Sequence, residues 1–278
     1  MSCLEPKPCA IEGARPENVL RIENIQGYLF SPLPQVYHLR MAEQRTDEQT
    51  KAQYVEAMGE ELGSLFHALS NEVSLARERW TQFVILFGEK QSRIDLLNEA
   101  AGSFFGTLQE LLLEHTLLAI ARLIGPMKSA GHPQLALEAL VNDDASKGPV
   151  LISHAPLRQQ TQTLLEGTRN LASFATDWRH RRIAHHDLHL SLGKSPKLLE
   201  PVTREQMKKA LSALRGVLNH VESTYCHTVT ADFTISPLDD AQALLYVIHD
   251  GLLRKKERHA RLERGEFIDE DVSPRKQI

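Results

Sequence analysis

The sequence predicts an all-α fold, a bundle of long antiparallel helices, on three observations. Apolar residues recur at helical spacing over long stretches. Ser- or Thr-led capping signals stand at the heads of those stretches, and Gly or Gly-Pro closes several of them. The chain has 278 residues, 42% of them hydrophobic and 24% charged, enough for one large core or two small ones.

Residues 1–45 carry Pro6, Pro8, Pro16, Pro32 and Pro34 without sustained periodicity. They read as an irregular N-terminal arm, with one apolar cluster (Tyr28, Leu29, Phe30, Val36, Tyr37, Leu39) suited to packing on the body. Thr46-Asp47-Glu48-Gln49 has the form of a capping box, so helix begins there. From Leu62 the positions Leu65, Phe66, Leu69, Val73, Ala76, Trp80, Phe83 and Phe87 hold a 3.6-residue stripe that Gly88 stops. A second capping signal, Ser92 with Asp95, opens a run through Leu97, Phe104, Phe105, Leu108, Leu111, Leu118 and Leu123 that ends at Gly125-Pro126. That run is apolar on more than one face, as a central helix must be. Trp80, Phe83, Phe104 and Phe105 sit at stripe positions and are assigned to core or dimer packing rather than base stacking.

Residues 128–132 read as a loop, 133–141 as a short helix, and 142–148 as a polar connection with room for a lid or an RNA-contacting edge. Ser153 or His154 then precedes Pro156, and a helix runs through Leu157, Leu164, Leu171, Ala175 and Trp178 into a basic stretch. After a Gly- and Pro-containing connection over 190–201, Thr203-Arg204-Glu205-Gln206 is a third capping box. It heads the cleanest stripe in the chain: Met207, Ala210, Leu211, Leu214, Val217, Leu218, Val221 and Tyr225. Residues 46–228 therefore form the main helical domain. Residues 229–264 add a C-terminal helix, capped at Ser236-Pro237-Leu238-Asp239, apolar in its first half and basic in its second. The basic half is a solvated face or a track along RNA backbone. Residues 265–278 read as a mobile polar tail.

Composition excludes several classes. No apolar run reaches the ~18 residues of a membrane-spanning helix and the start lacks signal-peptide form, so the expected setting is cytoplasmic, with no membrane partner. Cys3, Cys9 and Cys226 form neither an even disulfide set nor a metal knuckle. There is no P-loop and no GxGxxG, and no cofactor is expected. A formal charge of −4 requires any nucleic-acid contact to be local.

The local candidate is Trp178-Arg179-His180-Arg181-Arg182-Ile183-Ala184-His185-His186-Asp187, at the end of a helix. Histidine exchanges a proton near neutrality and arginine is a permanent planar cation suited to phosphate oxygens. Together they carry the parts of phosphodiester cleavage without a metal: a base for the 2′-hydroxyl, an acid for the leaving oxygen, and positive charge on the phosphorane. Arg179 and His185 are six residues apart, which places them about 120° apart on a straight α-helix. Either the helix ends near His185 or a second chain completes the site. Arg181 with His185 and Arg182 with His186 are i,i+4 pairs, and spacing alone does not choose the working pair. The dipole of the preceding helix also favours cations here without any substrate. A metal reading exists, since His185 and His189 are four apart with Asp187 between them, but no further ligands complete a set, and none is expected. Asp187 either orients an imidazole or caps the next segment.

Arg179, the polar His180, four further residues and His185 resemble the R-x4-6-H motif of the HEPN superfamily, and the flanking Ile-Ala-His-His-Asp resembles its abortive-phage-infection, AbiU-like branch. The stretch from Leu117 to Pro126 is similar to the end of that branch's central helix, so the resemblance spans roughly residues 46–228. It implies an HEPN-like bundle and a metal-independent endoribonuclease that acts on single-stranded RNA as a symmetric homodimer with one composite site. By position, Arg179, His185 and His180 would be catalytic, and Arg181, Arg182 and His186 would bind RNA. It also implies a phage-defence or toxin role restrained by an antitoxin or inhibitor protein. Some members keep the fold without cleaving RNA, so a non-catalytic module that binds RNA, a nucleotide or a protein is the alternative, and a plain dimerisation scaffold is a third.

Overall fold

The computed structural model describes residues 46–129, 131–184, 188, 192, 199–231, 240–266, 268 and 271. The arm expected over 1–45, most of the 190–201 connection and nearly all of the tail lie outside them. The fold is all-α, with one two-residue hairpin as its only sheet among the described residues.

Helix α1 (Asp47–Met58) starts as its sequence dictates. The Thr46 hydroxyl accepts from Gln49 N, and the Gln49 side chain accepts from Thr46 N at 2.8 Å. The chain then breaks at Gly59, whose φ of +83° suits glycine, before α2 (Glu60–Phe83). Gly63 is the close approach: a Cβ there would meet the Tyr54 carbonyl oxygen at 2.5 Å, so α1 lies tightly on α2. The predicted α2 stripe is the buried face, with Phe66, Leu69, Val73 and Ala76 fully enclosed and the Trp80 and Phe83 rings stacked at 5.0 Å.

A π turn (Val84–Gly88) ends that helix. Helix α3 (Gln91–Leu123) is capped by Lys90, not by Ser92, and no side chain caps it. Asp95 is instead taken by Gln91 Nε2 at 3.0 Å. Arg93 closes the corner by donating to the Ile85 carbonyl at 2.7 Å and to Glu89 at 2.6 Å. Ala101 kinks α3. The expectation of an apolar surface all round holds for the C-terminal half, where Thr116, Leu117, Ala119, Ile120, Ala121 and Leu123 are buried. Before that, Phe105 is buried but Phe104 is 63% exposed.

Residues predicted as loop and short helix instead form an antiparallel pair, β1 (Lys128–Ser129) with β2 (His132–Pro133), followed by a single turn, α4 (Glu138–Val141). The 142–148 connection is tied down by Asn142, whose amide donates to the carbonyls of Asp144, Gly148 and Pro149.

Helix α5 (Ala155–Leu171) is capped by His154, which accepts from Leu157 N. Its buried face is Leu157, Thr161, Leu165 and Thr168, whereas Leu164 and Leu171 face out. Threonine is tolerated inside because its hydroxyl returns to the helix: Thr161 donates to the Leu157 carbonyl and Thr168 to that of Leu164, both at 2.8 Å. Ala172, with φ −107° and ψ 9°, separates α5 from α6 (Ser173–Trp178).

Helix α7 (Arg204–Cys226) carries the third capping box and buries the predicted stripe from Met207 to Val221 against α2 and α5. Helix α8 (Ala241–Glu263) is capped by Asp240, whose carboxylate accepts from Gln242 N at 2.7 Å; the Ser236 cap predicted for it lies outside the described residues. Of its described residues Ala241, Leu245 and Leu252 are buried, and Ala241 and Leu245 join Leu86, Leu97 and Phe105 in a second small core, while Val247 and Leu253 are exposed. Part of its basic half is paired within the chain, Lys256 with Glu99 at 3.1 Å and Arg261 with Asp271 at 2.6 Å.

Candidate functional site

The basic stretch begins where the α6 helix changes its winding. Arg179–Ile183 form a π turn, closed by Ala184 N donating to the Arg179 carbonyl at 2.8 Å. An i→i+5 turn is rare and is enriched at functional sites. The i,i+4 pairings of Arg181 with His185 and Arg182 with His186 extend outside the described residues.

Two anchors hold the turn. Trp178 is buried and donates its indole N–H to the Glu200 carbonyl at 3.1 Å, tying the end of α6 to the strand of chain that leads into α7. Ile183 packs against the main core from the other end of the turn. Hydrophobic contacts on both sides of four consecutive basic residues thus fix the backbone while their polar ends meet the surface.

The side chains divide. Arg182 is committed to the central helix: its Nε donates to Glu114 Oε1 at 3.3 Å, Glu110 lies 3.8 Å from its Nη2, and its guanidinium sits 5.5 Å from the Trp178 ring centroid. Arg179 and Arg181 are half-buried and His180 is exposed. His185 and His186, the remaining site residues named from the sequence, lie outside the described residues, as do Asp187 and His189. The turn therefore brings Arg179, His180, Arg181 and Arg182 together on one short segment beside α3. Their sequence proximity alone did not indicate the acidic partners. The signal for Glu110 and Glu114 in the sequence is a carboxylate pair one turn apart on a helix otherwise rich in leucine.

Among the described residues no group of three or more His, Cys, Asp or Glu side chains is placed to hold a metal, and no described helix is long and apolar enough to cross a membrane.

An all-α bundle with a cationic π turn seated on its central helix defines the class to which the chain belongs. The family model described as AbiU2 matches residues 59–244, from the Gly59 break into α8, and the chain is a member of this HEPN family, the abortive-infection branch that its motif resembles. No curated protein and no solved structure matches it.

Proposed function

We propose that the chain is a metal-independent endoribonuclease that cleaves single-stranded RNA at a composite site shared by two copies of itself. The observation that supports this most is the π turn of Arg179–Ile183 in a chain of the HEPN family. It is a doubly anchored segment of irregular winding with histidine and arginine presented at the surface, in a molecule whose formal charge of −4 gives no general affinity for RNA.

In this reading His185 takes the 2′-hydroxyl proton and the 2′-oxygen attacks phosphorus. Arg179 stabilises the phosphorane, with His180 assisting, and the P–O5′ bond breaks as the symmetry-related copy supplies the proton for the leaving oxygen. The products are a 2′,3′-cyclic phosphate and a 5′-hydroxyl. Arg181 and His186 contact neighbouring phosphates. Arg182, drawn to Glu114 and lying over the Trp178 ring, is engaged with the protein and contributes least to RNA contact. The biological role is phage defence or a toxin held off by an inhibitor protein.

The test is incubation of the purified protein with labelled structured and single-stranded RNAs in EDTA, alongside His185→Ala and Arg179→Ala. EDTA-resistant cutting that falls at least 100-fold in each variant is the expected result, in the range that loss of a general base or of a transition-state cation produces. RNA binding without cutting by the wild-type protein would instead establish a non-catalytic module.

A further inference from the structure

A second group of charged side chains lies on α2 and α3, which pack against each other, and shares no residue with the π turn. On α2, Glu72 and Arg79 are seven residues apart; on α3, His115 and Arg122 are also seven apart. Seven residues is close to two helical turns, so each pair lies on one face of its helix. Arg122 Nη2 approaches Glu72 Oε2 at 3.6 Å. Moving seven residues forward along α2 and seven back along α3, as antiparallel packing requires, sets Arg79 opposite His115. The two are close enough that the Arg79 charge acts directly on the imidazole.

The two ends of this four-residue patch differ. At one end Glu72 and Arg122 offset each other and, with Gln134, Ala119 and Leu123, line a cavity of about 100 Å³. At the other end the Arg79 Nη1 is shielded from solvent and has no hydrogen-bond acceptor among the described residues. A buried guanidinium N–H without an acceptor is costly, and an anion is the partner its charge and planar geometry select. Beside it stands an exposed imidazole able to supply a second donor.

We propose that Arg79 and His115, with Arg122 two turns further along α3, form a binding site for a phosphoryl oxyanion between α2 and α3. The site is separate from the motif in its residues. Its connection to RNA rests on the nuclease reading: His115 adjoins Glu114, the residue that holds Arg182. Partial burial of the ring, then the charges of Arg79 and Arg122, push the His115 pKa below its ordinary 6.5, with Glu72 opposing them. An oxyanion seated between Arg79 and His115 reverses that balance and favours the protonated ring. Binding therefore takes up a proton and strengthens as pH falls through the ordinary histidine range.

The experiment follows the imidazole resonances of the full chain labelled at histidine, with His115→Gln identifying the His115 signal. The probes are dimethyl phosphate, a diester monoanion at every pH used, and inorganic phosphate, each against chloride at equal ionic strength. The expected result is a saturable shift of the His115 signal, a rise in its titration midpoint on binding, and at least tenfold weaker binding in Arg79→Gln. Arg179→Ala should leave all of this unchanged, which separates the result from the fate of the nuclease reading. Saturation by dimethyl phosphate identifies an RNA backbone as the source; saturation by inorganic phosphate alone identifies a free phosphate or phosphomonoester. Absence of a saturable His115 shift with either probe, or equal binding by Arg79→Gln, overturns the proposal.

Discussion

Helix α7 and the α5–α6 segment pack against each other, yet they are built in opposite ways. Helix α7 runs from Arg204 to Cys226 without interruption, opened by a capping box, with an apolar face from Met207 to Val221 that is almost wholly enclosed. The segment beside it is broken at Ala172 and rewound into a π turn at Arg179, and it fills part of its buried face with threonine. Regular winding lets one face repeat and so maximises burial. Broken winding gives up some of that regularity and aims particular side chains off the helix axis. In this molecule the first serves stability and the second places the cations.

The largest test of that contrast is in the core. Leu214 is fully buried on α7, and Leu214→Ala is expected to cost about 3 kcal/mol, the lost transfer energy plus a residual cavity. Leu164 sits at a helical stripe position of α5 but is 42% exposed, and Leu164→Ala should cost less than about 0.5 kcal/mol. Urea denaturation of both variants makes the comparison. Equal losses would mean that the α5 face is covered by something other than the described residues.

A smaller effect is expected where α7 ends. Glu222 is buried, and its carboxylate accepts from Tyr54 Oη at 3.0 Å and from Thr230 N at 2.9 Å, pinning the chain beyond α7 to α1. Tyr54→Phe removes one donor from a buried carboxylate and should cost about 1–2 kcal/mol. Burial first, then the Glu222 charge and its hydrogen bond, raise the Tyr54 pKa from 10 to about 12. The folded state thus favours the protonated phenol. Its contribution is complete below pH 10 and is lost as pH rises from 10 towards about 12. The stability gap between wild type and Tyr54→Phe should accordingly narrow between urea titrations at pH 9 and pH 11. A constant gap would show that the phenol does not ionise in the unfolded chain alone.

The same contrast explains what was legible in the sequence. The boxes at Thr46 and Thr203 and the stripes of α2 and α7 were readable because propensity, capping and burial agree there. Ser92 does not cap α3 because Gln91 takes Asp95 within the first turn and Arg93 fastens the corner to the carbonyl of Ile85 in the preceding π turn. On α5 the buried face was not legible from the leucines alone, because back-bonded Thr161 and Thr168 share it while Leu164 and Leu171 face out. At the site, Arg179, His180, Arg181 and Arg182 were legible as a group, but the π winding and the tie from Arg182 to Glu114 were not. No local pattern encodes an i→i+5 turn, and a contact across 68 residues is visible only in the fold.

That tie gives the smallest stability effect and the sharpest test of the division between the two segments. Arg182 and Glu114 are both about one-third exposed, so their attraction is screened by water and a pair of this kind contributes roughly 0–1 kcal/mol. Glu114→Gln should therefore shift stability by less than about 1 kcal/mol, since Trp178 and Ile183 continue to anchor the turn in the two adjoining apolar contacts. The same change removes a negative charge beside four basic residues and releases Arg182. RNA binding should then tighten by roughly threefold at low salt, with the gain fading as salt is raised. A loss of more than about 2 kcal/mol with unchanged RNA affinity would reverse the assignment. The ion pair would then be what holds the π turn in place, and the irregular segment would be a stability element like α7.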